Sequence, residues 1–203
     1  MAGRSSPKNT VLRIVFLVLS AGMLLLGIFL MLNRTRARRQ SEEDNLVLTP
    51  VQTVTTMNLD QTYPNNERDV VAMWARIEQT LYNEEYTDAE ADAMCEQLMV
   101  LYDNAFLLNQ PNYAAQLRHE VQQKKEDGIT ISTYVVGDRS SVVYFKDDEG
   151  YECAGLECQF TLMSGPTRAT QIYNFILRKD ETARWKIFGW SLKDDQTIHL
   201  ITP

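Results

Sequence analysis

The sequence predicts an α+β protein: a transmembrane helix, then three helices packed in a curved, cone-like antiparallel sheet of four to five strands. An uncharged apolar run fills residues 14–32. Apolar residues then recur at helical spacing from Val70 to Val121, and from Ile129 onward the period drops to two, with Gly- and Asp-rich turns between short β-rich runs. Helices followed by a meander of strands is the order of an α+β layer fold.

The apolar run sets the first boundary. Ile14 to Leu32 is 19 residues without a charge, and at ~1.5 Å per residue it spans about 28 Å as a helix, close to the hydrocarbon thickness of a bilayer. A cleaved secretory signal has an apolar region of only ~7–15 residues. This run is longer and stops in Arg34-Thr35-Arg36-Ala37-Arg38-Arg39 with no small-x-small pattern. Residues 1–10 therefore read as a basic tail and 11–33 as an uncleaved signal-anchor, with the lipid bilayer met through Val11–Leu32. Residues 34–62 read as a basic-then-polar tether, 63–194 as the folded domain and 195–203 as a C-terminal tail. Basic residues lie on both sides of the span, so the positive-inside rule is nearly balanced. A short leading tail before a large domain places that domain outside the cytoplasm, in a single-pass cell-membrane protein.

Charge is segregated. Residues 1–40 hold seven of the 20 Lys and Arg and none of the 27 Asp and Glu, so residues 41–203 carry a formal balance of 13 − 27 = −14. Such a surface repels phosphate backbones and excludes nucleic-acid binding by the folded part.

Residues 41–65 are polar and turn-rich, with Pro50 and Pro64, and Val47 to Thr56 is rich in β-branched residues. It reads as extended chain, with a strand added to the sheet edge as the alternative. Val70, Trp74, Ile77 and Leu81 then form one helical stripe, with Asn66 placed to cap it. Thr87 and Glu90 make a capping box that opens a second helix through Met94, Leu98, Leu101, Tyr102 and Ala105, with Phe106 and Leu108 near its end. Pro111 suits the first position of a third helix, through Tyr113, Leu117 and Val121 to Gly128.

Strands are expected at Ile129–Val135, Val142–Phe145, Tyr151–Met163, Thr167–Arg178 and Trp185–Leu192. Ala154, Leu156, Cys158, Phe160 and Leu162 share one face of the third. The last strand has a phase break, since Trp185 and Ile187 have one parity and Trp190 and Leu192 the other. A bulge at Gly189 restores all four to one side. The strand before it is apolar on both faces, with Ile172 and Ile176 opposite in parity to Tyr173, Phe175 and Leu177. An antiparallel sheet in water usually keeps one wet face, so Ile172 and Ile176 mark an interaction face for a homodimer or another protein partner.

Recognisable chemistry is sparse. Cys95, Cys153 and Cys158 show no CxxC and no metal spacing with histidine. No cofactor or metal is expected, and phosphate loops, nucleophile elbows and HExxH are absent from the sequence. His119 reads as a helix-surface residue and His199 as solvated tail. Glu152 and Asp103 are the acids placed to enter the interior, and neither is favoured as a general base. Tyr134, Tyr144 and Gln159 are the candidate ligand-binding residues at the cone mouth.

Tyr63-Pro64, Glu67-Arg68-Asp69-Val70-Val71, Tyr82 to Asp88, Leu177-Arg178-Lys179-Asp180 and the closing Trp185-Lys186-Ile187-Phe188-Gly189-Trp190 carry a resemblance. The chain resembles an uncharacterised family of short, membrane-anchored bacterial proteins whose soluble part is similar to the nuclear-transport-factor-2-like (cystatin-like) cone. The resemblance implies a fold and an anchor and no catalytic residue. The expected function is a membrane-tethered, non-enzymatic interaction module. The alternatives are an envelope small-ligand-binding domain and an enzyme of the isomerase or dehydratase kind. An interior filled by Trp74, Phe160, Trp185 and Trp190 favours the first. A cavity of a few hundred Å3 with convergent tyrosines favours a ligand, and a buried acid in that cavity favours chemistry.

Overall fold

In the computed structural model the described residues are 48–193. The expected membrane span, the leading tail, His199 and the C-terminal tail lie outside them. No helix among the described residues is long and apolar enough to cross a membrane.

The domain begins earlier than the sequence suggests. Helix α1, Pro50–Thr55, replaces the extended tether expected there. Thr49 and Gln52 form a reciprocal capping box and Pro50 occupies the first turn, where its missing N–H costs nothing. Val51, Val54 and, just beyond, Leu59 are buried in the main core, so residues 50–59 belong to the packed unit. Local capping and burial of two valines on one helical face outweigh the β-propensity of the threonines.

Helix α2, Glu67–Asn83, is capped by Asn66, whose side chain accepts from the Asp69 N–H at 3.0 Å. Helix α3, Asp88–Leu101, opens with the Thr87–Glu90 capping box. It stops at Leu101, short of the longer stripe read from the sequence. Tyr102 turns extended and bridges to Ile187, and Asp103 caps a short helix α4, Asn104–Asn109. Leu108 is consequently 82% exposed and not core. Helix α5, Tyr113–Glu126, starts two residues after Pro111 with no side-chain cap.

Five strands follow: β1 Ile129–Val136, β2 Val143–Lys146, β3 Glu152–Ser164, β4 Thr167–Lys179 and β5 Trp185–Leu192. All pairs are antiparallel in the order β1-β3-β4-β5, with β2 paired to the first residues of β3 and β1 to its last ones. The sheet is thus a meander whose long centre is β3 and β4. Ile176 pairs with Gly189 and Leu177 with Ile187, leaving Phe188 as the extra residue of a bulge beside Gly189. This is the phase break expected at that glycine, and it turns Trp190 back toward the core.

The helices cover one sheet face. Trp74 lies at the centre, its ring 5.0 Å from Phe175, 5.5 Å from Trp190 and 6.0 Å from Phe160. Trp185, expected beside them, packs instead toward Tyr144 and Lys179. Long ties fix the chain's entry to the sheet: the Tyr63 hydroxyl donates to the Trp185 carbonyl at 2.7 Å, and Arg68 Nε donates to the Gly137 carbonyl at 2.7 Å.

The β4–β5 turn holds the one non-glycine residue with positive φ among the described residues, Ala183 at 62°. A Cβ in that left-handed region costs roughly 1–2 kcal/mol, offset in part by the flexibility glycine adds to the unfolded chain. Ala183→Gly is expected to raise unfolding free energy by about 0.5–1 kcal/mol, read as a higher denaturant midpoint at unchanged slope.

Candidate functional site

Helix α2 points three successive i, i+4 residues, Trp74, Glu78 and Tyr82, toward the space between α5 and the inner face of β4 and β5. That space is not filled. A chamber of about 320 Å3 lies there, walled also by Phe106, Tyr113, Leu117, Tyr173 and Trp190. Gln110, Gln116 and Glu120 complete its lining from the α5 side. A smaller hollow of about 120 Å3 shares Trp74, Glu78, Tyr82, Glu120 and Tyr173 and extends toward Ile131, Phe160 and Lys124. The bulge at Gly189 contributes backbone to the wall and leaves space where a side chain would stand.

Glu78 is the unusual member. It is 6% exposed, and no hydrogen bond to its carboxyl group is present among the described residues. Burial pushes its pKa up to about 8, with the Glu120 carboxylate adding to the shift. Desolvation disfavours the charged form, and no Lys or Arg among the described residues forms an ion pair with it. Near neutral pH Glu78 is therefore mostly protonated, able to donate a hydrogen bond or release its proton.

The phenols around it are organised. Trp74 Nε1 donates to the Tyr102 hydroxyl at 2.7 Å, and Tyr102 and Tyr113 share a short hydroxyl–hydroxyl contact. Tyr173 donates to Gln171 at 3.0 Å, and Tyr82 reaches Glu120 at 3.5 Å. Burial raises the pKa of Tyr82, Tyr102 and Tyr113, and takes Tyr173 up to about 12, so all four stay neutral donors.

The three residues expected at a ligand site are not brought together. Tyr134 is half-buried against Phe160, Tyr144 is an exposed edge residue donating to the buried Glu67 at 2.8 Å, and Gln159 is exposed on the outer sheet face. Tyr144 and Gln159 are separated by sheet parity: β2 pairs Tyr144 with inward-facing Ala154, whereas Gln159 alternates with buried Cys158 and Phe160. The acids weighed from sequence are both engaged. Asp103 is buried but clamped by Arg178, and Glu152 is an exposed strand-start carboxylate bound by Lys179. His119 is exposed on α5. The three cysteines are buried and free, and the described residues contain no cluster able to hold a metal ion.

Ile172 and Ile176 are half-buried on the outer face of β4. Ile176 stands in a cross-strand row with Gly155 and Val143, and Ile172 in one with Gln159 and Val135. Val143 and Val135 are 64% and 61% exposed.

Sequence reasoning missed Glu78. The signal was present, because Glu78 follows Trp74 by four residues and precedes Leu81 by three on the apolar stripe of α2.

Fold and site together define an α+β domain with a helix-capped antiparallel sheet and an aromatic, acid-bearing chamber between the two layers. The chain belongs to the DUF6715 family, described as a domain of unknown function, whose family model matches residues 1–190. Among curated proteins, none matches it.

Proposed function

We propose that this domain binds a small organic molecule in the chamber between α2, α5 and the sheet. The aromatic walls hold the molecule's apolar body, and Glu78 meets its polar group. The observation that carries this reading is a buried carboxyl group with no protein partner among the described residues, lining open space. With no protein donor on its oxygens among the described residues, the carboxyl group is placed to meet a polar group that enters the cavity. The cavity also weakens the filled-interior scaffold expected from the sequence.

The test is a titration of the full chain with single-ring aromatics of neutral, cationic and anionic character. Two of its three tryptophans line the chamber, so their fluorescence reports occupancy. At least one ring compound is expected to bind, and Gln116→Trp, which puts bulk into the chamber wall, is expected to abolish it. Failure of every ring compound to bind overturns the reading.

A second reading, proton transfer by Glu78, is favoured by its raised pKa, which lies near the value suited to acid–base work at neutral pH. It predicts a turnover lost in Glu78→Gln and retained in Tyr82→Phe. The finer architecture we read as a nuclear-transport-factor-2-like cone. The apolar run Ile14–Leu32 supports a membrane anchor carrying it, and the exposed rows around Ile172 and Ile176 support a partner on the outer sheet face.

A further inference from the structure

We infer that the molecule the chamber takes is an organic cation, an amine or quaternary ammonium carried on a small apolar frame, with its charge lodged between Glu78 and Glu120. This rests on the ligand-binding reading above and names the ligand's class.

Two carboxyl groups line the chamber, Glu78 buried and Glu120 exposed, and the Glu120 carboxylate lies close enough to disfavour ionisation of Glu78. Neither has an ion pair with Lys or Arg among the described residues, whereas of the two other buried acids Asp103 is clamped by an arginine and Glu67 accepts from the Tyr144 hydroxyl. The remaining lining is aromatic, and ring faces attract a desolvated cation through their quadrupoles. Trp74, Phe106, Tyr113 and Trp190 supply such rings from four separate elements. A cavity of about 320 Å3 easily holds a six-membered ring with a one-carbon ammonium arm. An anion would meet the Glu120 carboxylate there, and a neutral apolar molecule would leave Glu78 without a partner.

The titratable groups facing Glu78 are few. Helix α5 offers Glu120, Lys124 and Tyr113, α3 offers Cys95, and β4 offers Tyr173. Tyr82 stands beside it on α2, Tyr86 follows the end of that helix, and Tyr102 contacts Tyr113. Burial holds the thiol and the phenols protonated, so among the described residues Glu120 and Lys124 are the other charged groups lining the two hollows around Glu78. A cation seated at Glu78 favours its ionised form. Binding at pH 7 is therefore accompanied by release of a proton.

Benzylamine, benzyl alcohol and benzoate share one ring and differ in charge. The full chain is titrated with each by calorimetry in two buffers of different ionisation heat. Benzylamine is expected to bind at least tenfold tighter than benzyl alcohol, with benzoate weakest, and to release close to one proton per site at pH 7. Glu78→Gln is expected to erase both the preference and the proton release, while Glu120→Gln weakens the preference in part. Retention of the wild-type melting cooperativity shows that these variants fold. Benzyl alcohol or benzoate binding as well as benzylamine, with binding lost in Gln116→Trp, overturns the cation assignment and leaves the chamber reading standing. No binding by any of the three overturns both.

Discussion

Glu78→Gln is expected to stabilise the protein by about 3 kcal/mol at pH 7, an unusual direction for a substitution of a buried residue. The unfolded chain's carboxyl group loses its proton near 4.5, whereas the buried one holds it to about 8. Between those values the folded state carries a proton that the unfolded state lacks, so raising the pH favours unfolding. Each pH unit in that window removes about 1.4 kcal/mol, and the loss is complete once the pH passes the folded value. Below 4.5 both states are protonated and the cost vanishes. A neutral amide of the same shape escapes the penalty, so the gain should be near zero at pH 4, large at pH 7 and largest at pH 9. Chemical denaturation of both proteins at those three pH values checks it. A Glu78→Gln variant less stable than wild type at every pH would mean that the carboxylate is held by partners, and the orphan-acid account would fail. A group that lowers stability where it sits, in a cavity of ligand size, is what a site retained for binding predicts.

Most of the fold was legible because its signals are local. The strands alternate in period two and are punctuated by Gly137, Gly150, Gly165 and the Asp180 turn, and the observed ends differ from the expected ones by a residue or so. The bulge followed from parity alone, since Trp185 and Trp190 cannot otherwise both face the helices. Helix α1 was hidden because Val-Gln-Thr-Val-Thr-Thr has strand composition, and its two valines reveal a helical face only when α3 is present to bury them. The Tyr102–Asp103 break in the long stripe was hidden for a related reason. Its cause is the distant Ile187 backbone, whose carbonyl accepts from the Asp103 N–H at 2.9 Å.

The candidate site was the least legible part. Reading α2 as an apolar stripe selects Val70, Trp74, Ile77 and Leu81 and passes over the glutamate among them, although that position is as inward as its neighbours. The aromatic inventory pointed to a filled interior, and near Trp74 the interior is filled. The chamber lies between α2, α5 and the sheet, and that depends on how helices from residues 67–83 and 113–126 sit against strands roughly 50 to 115 residues later. No spacing within any one segment encodes that gap.

Asp103→Ala is expected to cost about 3–5 kcal/mol, the largest loss predicted from one side chain here. Asp103 and Arg178 are bound side-on, with Nε to Oδ2 at 3.1 Å and Nη2 to Oδ1 at 2.8 Å, and both side chains are at most 15% exposed. Removing the aspartate leaves a guanidinium that cannot give up its charge in a site built around its partner, which is the expensive way to break a buried pair. Asp103 Oδ1 also accepts from the Ala105 N–H at 2.8 Å, so the cap of α4 goes with it. Some relief remains to Arg178. Asp147 and Glu149 stand 3.8 and 4.0 Å away, and the rings of Tyr151 and Phe188 each lie 4.6 Å from the guanidinium carbon. That relief places the loss nearer the lower end of the range. Replacing both partners, as Asp103→Leu with Arg178→Met, should recover much of it, because an apolar pair carries no stranded charge. Urea midpoints for the two single variants and the double variant give the coupling directly. If Asp103→Ala unfolds at the wild-type urea midpoint, the carboxylate is not structural, and the account of Asp103 and Arg178 as a stabilising buried pair fails.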